Sequence, residues 1–278
     1  MVDKETVLKW HELYMSKENM NMLQASEQLN VNYNTLRRNF KKYNLVIKRN
    51  QSNSKKYFFN QHYFDTIDDE HKAYWLGFLL TDGYISRARK HSSQKVGISI
   101  HSKDKEILEV LNKDLESNVR ICEYVSNNSY TSYSPYARVS YAGDYMADKL
   151  KEYGMSSDKT YHLEVPRIRD DLIRHMIRGM FDGDGSAYLS KTNKHINEYN
   201  ITSFQFTGLR NVLEFIMEEL LKNKVILKRH VISQSTHSRI TCDFKVTNKY
   251  SSSKFYHYLY DDATIYLKRK KDKFINIQ

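Results

Sequence analysis

Cysteine is nearly absent: the 278-residue chain has only Cys122 and Cys242, far apart and without the spacing of a metal-binding pair. This excludes a disulfide-framed fold and a cysteine-ligated zinc site, and it fits a reducing compartment. Long apolar runs are missing as well. No stretch approaches the roughly 18 apolar residues of a membrane span. The opening MVDKETVLKW is charged, with no apolar signal core. The expectation is a soluble protein without membrane contact, in the cytoplasm or nucleoid of a bacterial or phage-infected cell, or in an organelle.

Positive charge is plentiful. Lysine and arginine number 44 against 33 acidic residues, a net charge of +11, while 40% hydrophobic content is enough to build real cores. A folded, strongly basic chain suits a phosphate backbone, although charge alone does not separate nucleic acid from other polyanions.

The composition changes near residue 50. Residues 1–46 suit a small helical module, residues 47–65 a linker, and residues 66–166 and 167–278 two further bodies. In the module, helices are expected over residues 4–14 and 20–29, then over 33–40 with Asn32 as N-cap and the small Ala25 permitting a close crossing. The pattern resembles a helix-turn-helix whose third helix presents Tyr33, Asn34, Arg37 and Arg38 to a major groove. A three-helix module with a solvated basic face is the alternative.

Past residue 66 the chain repeats itself. AYWLGFLLTDGY (73–84) and HMIRGMFDGDGS (175–186) are each an apolar helix containing glycine, with Asp-Gly following five residues after Gly77 and Gly179. Similar elements follow both. After the Asp-Gly strand, a second strand is expected over 95–102 and 201–207, and a helix over 103–115 and 209–221. Two more strands (119–125 and 137–141; 227–233 and 239–246) lead to a helix over 144–153 and 252–260. The expected fold is α+β, two pseudo-symmetric halves of roughly one hundred residues each in the order αββαββα, preceded by the small all-α module.

Glycine inside an apolar helix costs about 1 kcal/mol against alanine, and close helix contact is the usual compensation. If the halves meet through these helices, Gly77 faces Gly179 and Thr81 faces Gly183. The helix ends then carry Asp82 and Asp184 together. Carboxylates at helix C-termini oppose the macrodipole and repel each other, which a divalent cation relieves. Magnesium, with its preference for one or two carboxylates plus water and phosphate oxygens, suits the pattern. The plainer possibility is that Asp-Gly merely ends each helix. On the strands, Ser99, His101 and Ser102 in one copy, and Ser203, Gln205 and Thr207 in the other, are candidate base readers, with Ile98, Ile100, Phe204 and Phe206 turned to the core.

These motifs resemble the LAGLIDADG homing endonucleases in their single-chain, two-motif form. Residues 76–83 and 177–185 carry the match, IRGMFDGDG more closely, and the resemblance extends over about 66–278 through ISIHSKDKEIL, KTYHLEVP and IYLKRKKDKF. Leu80 departs from the pattern where an acidic residue is frequent; Asp182 holds that place in the second motif. The resemblance implies a DNA-binding saddle and magnesium-dependent hydrolysis of both strands of a long asymmetric site, leaving 3′ overhangs. Manganese or calcium would substitute for binding, and the chain would act as a monomer. It also implies Asp82 and Asp184 as catalytic metal ligands, with Gly83 and Gly185 beside them, and one basic residue per half, for which Lys159 and Lys268 stand at matching places. A non-cleaving relative, an intron RNA maturase or a transcription regulator, is the alternative.

Overall fold

The computed structural model describes residues 2–16, 20, 22–47, 57–86, 92–126, 134–156, 163–192, 199–236 and 238–277. The chain forms two compact units, Met1–Lys56 and Tyr57–Gln278.

In the first unit, α1 (Lys4–Ser16), α2 (Met22–Gln28) and α3 (Tyr33–Lys42) enclose Val7, Tyr14, Met22, Ala25, Leu36 and Phe40. The turn into α3 is chemically specified. Asn30 adopts a left-handed φ of 51° while the Val31 N–H donates to Ser26 O at 2.9 Å, closing α2. Asn32 Oδ1 then accepts the Asn34 N–H at 2.9 Å and caps α3. Asn34, Arg37 and Arg38 are exposed. Tyr33 differs from expectation: it is partly buried against the core, because its ring finds more apolar contact inward than water outward.

The second unit is duplicated. Its first half runs α4 (Glu70–Thr81), β1 (Gly83–Ile85), β2 (Lys95–His101), α5 (Glu106–Asp114), β3 (Cys122–Ser126), β4 (Ser134–Ala142) and α6 (Asp144–Glu152). The second half runs α7 (Asp170–Asp184), β5 (Ser186–Thr192), β6 (Tyr199–Gly208), α8 (Arg210–Lys222), β7 (Ile232–Gln234), β8 (Cys242–Val246) and α9 (Lys249–Tyr260), then α10 (Lys268–Lys271). The sheets are antiparallel with orders β1-β2-β4-β3 and β5-β6-β8-β7, the same topology twice. The fold is α+β, with two αββαββα halves.

Three local expectations are corrected. Residues 57–65 are not linker: Tyr63 and Phe64 are buried in the core, and the Phe58 N–H donates to Asn118 Oδ1 at 2.7 Å. Polar composition just upstream conceals an aromatic anchor. The helix after β2 is preceded by a 3-10 turn, Ser102–Asp104, because His101 Nδ1 accepts the Lys103 N–H at 3.1 Å and tightens the start. Strand β7 is shorter than the stretch 227–233. It spans only Ile232–Gln234, and just upstream the Val225 and Ile226 N–H groups both donate to Leu220 O, at 2.8 and 3.3 Å, closing α8.

One continuous core serves both halves. At its centre lie α4, buried from Ala73 through Leu80, and α7, buried from His175 through Asp182. A helix apolar on nearly every side must be covered on every side, and here the other half supplies the cover.

Candidate active site and nucleic-acid interface

The two motif helices approach until backbone meets backbone. A Cβ on Gly77 would lie 2.0 Å from Met176 O, and one on Gly179 would lie 2.0 Å from Tyr74 O. Each glycine thus faces the other helix's preceding turn rather than the opposite glycine itself. One turn later, a Cβ on Gly183 would fall 2.0 Å from Thr81 Oγ1. Only hydrogen fits at these places.

This contact delivers both helix ends to one region. Asp82 is the half-buried C-cap of α4 and Asp184 the exposed last residue of α7. The Asp82 carboxyl carbon is 3.6 Å from where a Gly183 Cβ would sit. Gly83 pairs with Ile98 at the start of β1, and the Gly185 N–H donates to Phe181 O at 2.9 Å. Both glycines are placed to close the turn from helix to strand. Their missing side chains make room: a Cβ on Gly83 would strike Leu79 O at 2.5 Å, and one on Gly185 the Phe181 ring at 2.2 Å.

Asp182, two residues before Asp184, is 1% exposed. It accepts the Leu267 N–H at 2.6 Å, the Tyr74 hydroxyl at 2.9 Å and the Tyr260 hydroxyl at 3.3 Å. Burial dominates and raises its pKa to about 6, against the pull of the Leu267 N–H and the Lys270 and Arg178 charges. It anchors the C-terminal segment under the helix pair.

That segment brings a lysine to the site. Lys270 is 6% exposed, and its Nζ donates at 2.7 Å to Gly183 O and at 2.7 Å to Phe181 O, which also accepts the Gly185 N–H, so the ammonium sits against the carbonyl end of α7. Burial lowers its pKa to about 8, opposed by the carboxylates of Asp182, Asp82 and Asp184. Lys268, to which the sequence pointed, is exposed at the start of α10, two positions before the buried Lys270. In a run of four basic residues only the helical phase of α10 decides which one turns inward. Lys159 lies outside the described residues.

The segment is held to the first half as well. Arg269 bridges to Asp104, its Nη2 at 2.8 Å from Oδ2. The buried Arg178 pairs with Glu70 at 2.5 Å and donates to Ile265 O at 2.8 Å.

On the sheets, Ser99 and His101 lie on the face away from the core, and so do Gln205 and Thr207, both half-buried. Thr207 Oγ1 donates to Asp243 Oδ1 at 2.7 Å. Two candidates are corrected. Ser203 is fully buried, paired across the ladder with the much larger Tyr188. Ser102 starts the 3-10 turn instead of extending the strand, and its hydroxyl is buried. Residues not foreseen share these faces: Arg138 and Tyr136 on β4, Tyr84 on β1, Tyr124 on β3, Asp243 and Lys245 on β8. Their signal was strand alternation, readable only once the register was known.

The arrangement of paired motif helices over two four-stranded sheets is a known one. Residues 69–144 match the model of the LAGLIDADG-like domain. Beyond that span, the fold is similar to solved LAGLIDADG meganucleases. One is the homing endonuclease I-WcaI bound to its DNA recognition sequence: 15% identity, 83% of this chain and 97% of that chain covered, TM-score 0.52. Another is the LAGLIDADG meganuclease I-CpaMI bound to uncleaved DNA, at 12% identity, 76% and 90% coverage and TM-score 0.50. A double mutant of I-SmaMI gives 14% identity, 72% and 87% coverage and TM-score 0.51. No curated protein matches the chain by sequence. The chain therefore carries a LAGLIDADG-like domain and, over both halves, the fold of LAGLIDADG homing endonucleases. No helix among the described residues is long and apolar enough to cross a membrane.

Proposed function

We propose that the chain is a site-specific endonuclease that hydrolyses both strands of a long, asymmetric double-stranded DNA target with a divalent metal, leaving 3′ overhangs. The observation that carries this reading is the delivery of Asp82 and Asp184 to one region by a glycine-mediated helix contact whose geometry stability alone would not require.

The donor chemistry fits magnesium. Among the described residues no group of three or more His, Cys, Asp or Glu is placed to hold a metal ion. Asp82 and Asp184 would supply a cation with one carboxylate from each helix, the small protein share that magnesium prefers beside water and phosphate oxygens; manganese has the same preference, and calcium would serve for binding. Asp82 and Asp184 are the ligands, and Gly83 and Gly185 serve the turns. Bound metal supplies an activated water and charge stabilisation for the leaving oxygen. Lys268, exposed on α10, offers a positive charge to the reacting phosphate, while the buried Lys270 holds the end of α7 through Phe181 O and Gly183 O. The basic chain provides the long-range attraction, and the outward sheet faces provide base contacts.

The first unit extends the footprint through Asn34, Arg37 and Arg38 on α3, a role in keeping with a helix-turn-helix. Deleting residues 1–50 is expected to shorten the protected DNA. An unaltered footprint and affinity would remove that role.

The test is selection of cut products from a randomised duplex library in magnesium, repeated with Asp82→Asn and Asp184→Asn. Recovery of one cleaved site, lost in both variants while binding persists, supports the reading. Binding without cutting in the unaltered protein would make it a non-cleaving binder of the maturase or regulator kind.

A further inference from the structure

The two sheets have the same topology but different chemistry on their outward faces. Arg138, near the middle of β4, is the one arginine in any of the described strands. Strand β4 is an inner strand, paired to β2 on one side and β3 on the other. The neighbours of Arg138 across the ladder are Ser99 and Cys122. The guanidinium is exposed yet held: its Nε donates to Ser99 Oγ at 2.7 Å. Its Cζ lies 5.5 Å from the Tyr136 ring centre, 5.9 Å from that of Tyr84 and 6.0 Å from that of Tyr124. Tyr124 and Tyr136 stack on each other at 5.2 Å. The second sheet offers Lys245 instead, its Nζ 5.0 Å from the Tyr188 ring.

We infer that Arg138 reads a guanine in the part of the DNA target bound by the first sheet, an inference that rests on the endonuclease reading. With Nε engaged by Ser99, the two terminal amino groups remain as a parallel pair of donors. On the major-groove edge only guanine presents two acceptors, N7 and O6, at the matching spacing; adenine sets a donor beside its N7, cytosine offers a donor, and thymine one acceptor beside a methyl group. The three tyrosine rings restrict the guanidinium before DNA arrives, so less side-chain entropy is lost on binding, and their faces favour its charge.

The full chain in calcium, bound to a randomised duplex library, tests this. The unaltered protein is expected to select a site containing a G·C pair for which both Arg138→Ala and Arg138→Lys lose preference, by about ten- to hundred-fold, with other positions kept. Arg138→Lys keeps the charge but not the paired donors, and unchanged thermal melting of both variants shows that the fold is intact. Preference unchanged at every position would overturn the inference. So would a loss of affinity spread evenly over all sequences with a shallower salt dependence, the behaviour of a phosphate contact. If the unaltered protein selects no sequence at all, the endonuclease reading fails, and the inference fails with it.

Discussion

The two motif helices carry the same glycine-to-aspartate interval but treat the position two residues before the aspartate differently. In α4 it is Leu80, 1% exposed and apolar; in α7 it is Asp182, equally buried and surrounded by three donors. The difference lies in the partner. The C-terminal segment threads under α7, presenting the Leu267 N–H to Asp182 and the Lys270 ammonium to the carbonyls at the helix end. The two halves thus share their geometry, while only the second carries a buried polar anchor at this place. Near-symmetric placement of Asp82 and Asp184 coexists with asymmetric support beneath them.

The largest expected effects fall where the halves are equivalent. Asp82→Asn and Asp184→Asn should each lower double-strand cleavage about a thousand-fold or more, near 4 kcal/mol of transition-state stabilisation, with DNA binding retained. Single-strand nicking by one variant and not the other would show that the halves act independently.

Next come the positions where they differ. Asp182→Leu copies the first motif into the second and leaves a backbone N–H and two hydroxyls without their acceptor. It should destabilise by about 3 kcal/mol or more in urea unfolding. Leu80→Asp makes the reverse exchange without the donors and should also destabilise; a neutral result for either would mean that the environments are interchangeable.

A somewhat smaller loss is expected at the contact itself. Gly77→Ala and Gly179→Ala each drive a methyl into a carbonyl of the facing helix, costing about 2 kcal/mol. Combined, they should cost less than their sum, because the helices separate only once.

The smallest effects are in pH dependence, and they have opposite sign in the two helices. His71 on α4 bonds to Asp114 Oδ2 at 2.7 Å, and this bond chiefly raises its pKa above 6.5. A raised folded value means stability present below pH 6.5 and lost as pH climbs through the folded pKa. His175 on α7 is lowered to about 4 by burial and then by the Arg178 charge. Its neutral Nδ1 accepts from Arg178 Nη1 at 2.9 Å. Its contribution is complete above pH 6.5 and is lost as pH falls from there to about 4. Melting curves of His71→Gln and His175→Gln between pH 4 and 8 should therefore diverge from the unaltered protein at opposite ends. Parallel curves would refute the contrast.

Much of this architecture was legible from residue order. The repeated apolar helices, the Asp-Gly ends, the Asn32 cap and the alternation of Ile98 and Ile100 are local signals, each written within a few residues. Legibility failed where a residue's role depends on distant chain. Tyr63 and Phe64 follow a polar run and pack against chain far from them, Ser203 obeys alternation yet is buried, and Lys268 and Lys270 are indistinguishable within one basic run. Arg138 carried no motif at all; its importance arises from Ser99, thirty-nine positions away, and from three tyrosines on three strands.

By itself, the sequence determined that two similar halves exist and that each ends an apolar, glycine-containing helix at an Asp-Gly, with close contact between those helices as the expectation. Period, spacing and side-chain volume are properties of short segments and survive without a fold. Only the tertiary structure decided which lysine turns inward against the end of α7, which carboxylate is buried as an anchor and which sheet presents an arginine. Those depend on where remote segments cross, and crossing is set by the sum of many weak contacts over the whole chain.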